Sequence, residues 1–219
     1  MTVETVTVRR LSSGEIAEPS RDWQAVYELC CRTGNNGEPI AGDRWDFFAR
    51  LWVGPYKQIL PEWTYVAEAG SVIFGYLTGC PDSRAFAKAK FLRFSLPLLT
   101  DVFCSRYPDN RDARRFVRQM FRLENGPERA FPRGLNRKLW QDYPAHLHIN
   151  VAAGWRRSGA GTRLMDEFFS DLRRAQIPGV HVYCGADPLH FYRRRGFEEL
   201  AKIAFHGAPV YALGLRLRD

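Results

Sequence analysis

The 219-residue chain reads as a single α/β domain built on a mixed sheet, and three observations carry that reading. Strand-like and helix-like runs alternate along most of its length. Two β-rich runs meet at the pair Gly70-Ser71, and one glycine-rich turn joins a strand to a strongly amphipathic helix. A chain of this size buries a full core, and one elaborated domain over residues 1–219 accounts for it more simply than two.

Taken in order, Thr5 to Leu11 alternates like an opening strand, and Asp22 to Cys31 sets Trp23, Val26, Tyr27 and Cys30 at helical spacing. Gly34 to Gly37 is a turn cluster, Arg44 to Trp52 predicts a second helix, and Gly54, Pro55 and Pro61 mark a loop that ends it. Trp63 to Ala69 and Val72 to Gly79 pair as an antiparallel hairpin. From about 81 to 143 comes a helical insertion: helical patterns at Ala85 to Phe94, Leu98 to Cys104 and Asp112 to Leu123 alternate with Pro97, Pro108, Pro127 and Pro132, and no strand is evident. The pattern then returns to strand at Ala145 to Val151, helix at Thr162 to Ala175 and strand at Val180 to Cys184. A short helix near Pro188 to Arg195 and strands near Glu198 to Phe205 and Val210 to Arg218 complete it.

Composition narrows the function classes. With 45% hydrophobic and 26% charged residues the chain is ordinary for a globular protein and too apolar for a disordered one. No run approaches the roughly 18 to 20 apolar residues of a membrane span, and Met1 to Arg10 lacks the apolar core of a signal peptide, so a cytoplasmic protein is expected. Five cysteines without a Cys-x-x-Cys spacing point to reduced thiols and no metal. The net charge of +8 is concentrated: Arg84 to Lys138 holds fourteen Lys or Arg against five acids. That patch suits an anionic acceptor, a nucleotide cofactor or a solvated helix face. Nucleic acid is disfavoured as a partner, since no aromatic-interleaved RNA motif, helix-turn-helix or zinc pattern accompanies it.

The chemistry gathers at Arg156-Arg157-Ser158-Gly159-Ala160-Gly161-Thr162, between the strand and a helix whose Leu164, Met165, Phe168, Leu172 and Ala175 share one face. Free amides at such a helix start suit a phosphate, glycine lets the backbone approach it, and arginines add charged donors. The spacing is not Gly-x-x-x-x-Gly-Lys-Ser/Thr, and Leu164 stands where a Gly-x-Gly-x-x-Gly fingerprint needs glycine. It does fit Gln/Arg-x-x-Gly-x-Gly/Ala, and so resembles the pyrophosphate loop of the GCN5-related N-acetyltransferase superfamily. About thirty residues on, Asp187-Pro188-Leu189-His190-Phe191-Tyr192-Arg193-Arg194-Arg195-Gly196-Phe197 resembles that superfamily's C-terminal signature, with Asp187 where Asn is common.

The resemblance implies a mostly antiparallel central sheet flanked by helices, with strands splayed at the cofactor site and the insertion between strands 3 and 4. It implies acetyl-CoA as cofactor and transfer of its acetyl group, by direct attack in a ternary complex, to the primary amine of a small molecule or a protein Lys. The pantetheine arm would lie beside Ala145 to Val151, touching main-chain groups of Ile149 and Val151. Arg156, Arg157, Ser158, Gly159, Ala160, Gly161 and Thr162 would hold the diphosphate, with Asp187 capping the short helix. Tyr192 would protonate the departing thiolate. His148 and His146, two apart on a strand and so on one face, are the candidate bases, with Asp142 and Glu68 behind them. The His-Leu-His run is similar to one that serves as base in serotonin N-acetyltransferase, here one residue closer to the loop. The insertion would roof the acceptor site, with Trp140, Tyr143, Phe91 and Phe94 lining a pocket. A binding module without catalysis that uses its basic insertion to hold nucleic acid or another anionic partner, a longer acyl donor and a homodimer stay open.

Overall fold

A computed structural model describes residues 5–11, 20–34, 37–106, 111, 114–115 and 130–217. Strands β1 (Val6–Arg10), β2 (Thr64–Ala69), β3 (Val72–Cys80), β4 (Ala145–Val151), β5 (Gly179–Cys184), β6 (Glu198–Phe205) and β7 (Ala208–Arg216) form one sheet in the order β1-β2-β3-β4-β5-β7-β6. Every neighbouring pair is antiparallel except β4 and β5, which run parallel.

Helices cover both faces because successive side chains along each strand point to opposite sides. On one face lies the long helix after the glycine-rich turn, here called α7 (Ala160–Arg174), whose Leu164, Met165, Phe168 and Leu172 pack on Tyr65, Leu77 and Leu147. Across the sheet, α1 (Arg21–Thr33) buries Trp23, Val26, Leu29 and Cys30 against Val66 and Tyr76. Next to it stand α2 (Trp45–Trp52) and α3 (Gly54–Ile59). The Gly54-Pro55 pair opens α3 instead of the expected loop: the missing N–H of proline costs nothing in a helix's first turn, where amides have no helical partner anyway.

The insertion begins with α4 (Ser83–Lys90), continues through a π-helical turn (Phe91–Ser95) and goes on as α5 (Leu96–Phe103). Pro97 therefore does not separate two helices. It follows a widened turn in which the Leu96 amide reaches back to the Phe91 carbonyl, relieving the clash a proline makes with the carbonyl four residues before it. The helix expected at Asp112 to Leu123 lies outside the described residues. Among the described residues the insertion ends in α6 (Arg133–Asp142) and contains no strand. The short helix α8 (Leu189–Arg194) precedes the β6–β7 hairpin.

Candidate active site

Parallel pairing of β4 with β5 is confined to Ala145–Val180 and His146–His181. Beyond that point the strands part, while β4 keeps its full pairing with β3 from Cys80–His146 to Gly75–Val151. The Ala152 amide donates to the Phe74 carbonyl of β3 at 2.8 Å, which sets the phase of the ladder. Even-numbered residues of β4 turn their main-chain groups toward β3, so those of Ile149 and Val151 face the gap left by β5. A sheet that opens in its middle thus presents a short, unpaired edge.

The far end of that gap is the N-terminus of α7. Its N-cap residue, Gly159, has φ +85°, a left-handed conformation that favours glycine, and no side chain caps the helix. Arg157 is also left-handed, at φ +68°. Ser158 accepts from the Ala160 amide at 3.4 Å, and the first-turn amides have no carbonyl within the helix to bond. The loop is pinned from behind by Trp155, stacked on Phe74 at 4.1 Å. Arg157, Ser158 and Gly159 are exposed, while Arg156, also exposed, donates to the carbonyl of Gly37 at 3.0 Å. Gly161 serves packing as well as access, because a Cβ there would meet the Phe191 ring at 3.3 Å.

Tyr192 lies on α8, buried among Phe191 and Phe197, each with ring centroid 5.4 Å away. Burial, reinforced by nearby Cys184, drives its pKa well above the usual phenol value. The cap expected of Asp187 is not made. Pro188 holds the N-cap position, no side chain caps the helix, and Asp187 is exposed beside it, because the chain enters through an Ala186–Leu189 turn that carries the aspartate past the helix end.

His146 and His148 project from the opposite face of β4 to Leu147, toward α3 and α4. Tyr56 of α3 sets its edge against both imidazoles, with ring centroids 6.0 and 5.8 Å away, and stacks on Phe86 of α4 at 4.8 Å. Asp82 accepts from the Arg84 and Ala85 amides and so fixes the start of α4, placing Ser83 against His146. Trp52, 39% exposed, closes on His148 at 5.9 Å, and His181 of β5 lies 5.9 Å from His146. Burial lowers all three histidines, and Lys90 adds to the effect at the first two; His148 falls to about 4. All three rings are therefore neutral at pH 7. No cluster of three or more metal-ligating residues occurs among the described residues.

The weaker candidates stand elsewhere. Glu68 is paired with Arg9 on the β1 side of the sheet, and Asp142 closes α6 with Arg216 at 4.0 Å. The aromatics expected to line a pocket are not brought together. Phe94 packs with Phe47 and Leu98, Tyr143 with Phe131 and Leu139, and Phe91 and Trp140 are exposed at 55% and 42%. Helical spacing alone could not separate aromatics that face the core from those facing a cleft. Tyr56, Phe86, Trp52 and Ser83 take their place beside the histidines. Of these, only Ser83 had a local signal that could have placed it, since the Asp82 before it is a residue type that caps helix starts.

No protein-family model matches the chain. Among solved structures, that of SsHAT aligns with a TM-score of 0.73 at 27% identity, covering 98% of this chain and 100% of its own. A protein of the GNAT family from Desulfovibrio desulfuricans aligns with a TM-score of 0.57 at 16% identity over 98% and 100% of the two chains. The yncA protein of Salmonella typhimurium, solved with its cofactor acetyl-CoA, gives 0.53 at 13% over 98% and 96%.

Proposed function

We propose, for a chain that belongs by fold to the GCN5-related N-acetyltransferase superfamily, that it is an acetyl-CoA-dependent N-acetyltransferase acting on the primary amine of a small molecule or of a protein Lys. One observation carries the reading: β4 and β5 part beside the uncapped, glycine-started N-terminus of α7.

The residues fit that cofactor. Main-chain groups of Ile149 and Val151 suit an extended arm with alternating amides, and the first-turn amides of Ala160, Gly161 and Thr162 suit a diphosphate. Arg156, Arg157 and Ser158 rim the same end, and Asp187 is the outlying candidate contact. Bound there, acetyl-CoA supplies an acetyl group activated as a thioester. His148 or His146 takes the proton of the acceptor amine, each ring being neutral at pH 7. Tyr192 holds a proton on its phenol at the same pH and is the group to protonate a thiolate. Lys90, whose charge reaches both rings, supports an acceptor that carries negative charge away from its amine.

Titration calorimetry with coenzyme A and acetyl-CoA tests the reading first, and thiol release with a panel of primary amines tests it second. Heat on binding and amine-dependent thiol release are expected; absence of both heat and thermal shift overturns it. The pH profile gives the base. Because burial lowers His148 to about 4, its neutral form prevails down to that pH, and the acidic limb of kcat/KM falls well below the usual 6.5. In His148→Gln that limb disappears; a limb that stays in place removes His148 from the role.

A further inference from the structure

The hydrogen bonds around His146 run in one direction. Ser83 Oγ lies 2.6 Å from the Pro144 carbonyl and 2.7 Å from His146 Nδ1. A hydroxyl has one proton and a carbonyl can only accept, so Ser83 donates to Pro144 and accepts from Nδ1–H of His146. A neutral imidazole has a single N–H, which leaves a lone pair on Nε2. Tyr56 Oη, 2.8 Å away, must donate to it. Tyr56, His146, Ser83 and Pro144 therefore form one chain of donors, assembled from residues 90 and 63 positions apart in sequence.

Burial together with His181, His148 and Lys90 keeps the ring uncharged. His148 on β4 and His181 on β5 lie with centroids 6.2 and 5.9 Å away, and Lys90 and Phe86 come from α4. Cys80 of β3, paired opposite His146, is buried and its thiol is pushed up, so it stays neutral as well. His181 is committed to the Tyr143 carbonyl through Nδ1 at 2.6 Å.

We propose that Tyr56, His146 and Ser83 are a proton relay for the acceptor amine, with Tyr56 as its entry and Ser83 as the positioning residue that fixes the tautomer. The proposal rests on the acetyltransferase reading. As the amine attacks, its N–H bond breaks and an O–H bond forms at Tyr56, while the original Tyr56 proton moves to Nε2 of His146. Tyr56 ends neutral as it began; His146 ends as imidazolium, with Nδ1–H still on Ser83. The same path returns the proton to solvent after the product leaves.

Nitrogen-15 NMR of the histidine rings in the coenzyme A complex reads the tautomer without any acceptor. A protonated Nδ1 and bare Nε2 at His146 are expected, lost to a tautomer mixture in Ser83→Ala and restored in Ser83→Thr. Turnover is followed with acetyl-CoA and two amines, 2-phenylethylamine and Nα-acetyl-lysine. The near-isosteric Tyr56→Phe should lower kcat about 10²-fold, the size of a lost acid–base contribution, with acceptor KM changed less than about twofold. A protonated Nε2 in the wild type overturns the relay, as does Tyr56→Phe turning over at the wild-type rate at every pH. Failure of the wild type to bind coenzyme A overturns the acetyltransferase reading and the relay with it. Binding and turnover unaffected by Tyr56→Phe overturn the relay alone. A chain that binds coenzyme A but acetylates neither amine is judged by the tautomer.

Discussion

The two ends of α7 treat their polar groups in opposite ways. At the C-terminal end Asp171, 5% exposed, takes ion pairs from Arg10 and Arg174 and a hydrogen bond of 2.5 Å from the Tyr65 hydroxyl. Arg173 and Arg174 in the last turn face the negative pole of the helix dipole, and the Ala175 and Ile177 amides close onto the Asp171 and Leu172 carbonyls. A surface cleft of about 600 Å³ opens there, walled by Arg10, Trp63, Tyr65, Glu167, Asp171 and Arg174, but the charges of Asp171 and both arginines are already committed to one another. The N-terminal end has no side-chain cap, a left-handed glycine and exposed arginines. One helix thus shows what satisfied and unsatisfied termini look like in the same chain. The cleft lies at the end whose charges are already paired, whereas the donors without an intrahelical partner lie at the other.

The contrast is broken most strongly at the closed end. Asp171→Ala removes a buried acceptor and strands the Tyr65 hydroxyl, so unfolding free energy should fall by about 2–3 kcal/mol while coenzyme A affinity stays within about twofold. Urea denaturation and calorimetry check the two halves, and an equal loss of affinity would mean that the ends are not independent. At the open end Gly159→Val forces a β-branched residue into φ +85°, costing roughly 1–2 kcal/mol and turning the amides away. Here coenzyme A affinity should drop about tenfold or more, the larger effect being on binding. Smallest is Arg157→Ala, an exposed charge whose removal should weaken coenzyme A about threefold and flatten the salt dependence of its Kd. Stability should not change, as a thermal melt would show.

Much of this was legible in sequence because the elements nearest the proposed cofactor site are locally determined. The strand from Ala145 to Val151 has the bounds the sequence predicts, and Gly159, read as a glycine that lets the backbone approach a phosphate, starts α7 at φ +85°, a conformation few other residues tolerate. Where local rules compete, reading failed. Gly54-Pro55 is a breaker in most contexts and a helix start here, and Pro97 is absorbed by a π-helical turn. Asp187 has the right chemistry for a cap, but Pro188 occupies the cap position. The surroundings of His146 were beyond reach for a different reason. Tyr56 and Ser83 meet it only once α3 and α4 fold over β4, and no spacing along the chain records a contact made by tertiary packing.

The parting of β4 from β5 also leaves an isotopic signature on a single strand. In the free protein Asn150 shares the β3 ladder, whereas Ile149 and Val151 direct their N–H groups into the gap. Deuterium uptake along this strand should accordingly alternate, slow then fast with a period of two, like the teeth of a comb. A ligand laid along the gap would erase the alternation by slowing only the fast teeth, which makes amide exchange a direct readout of where the sheet is completed from outside.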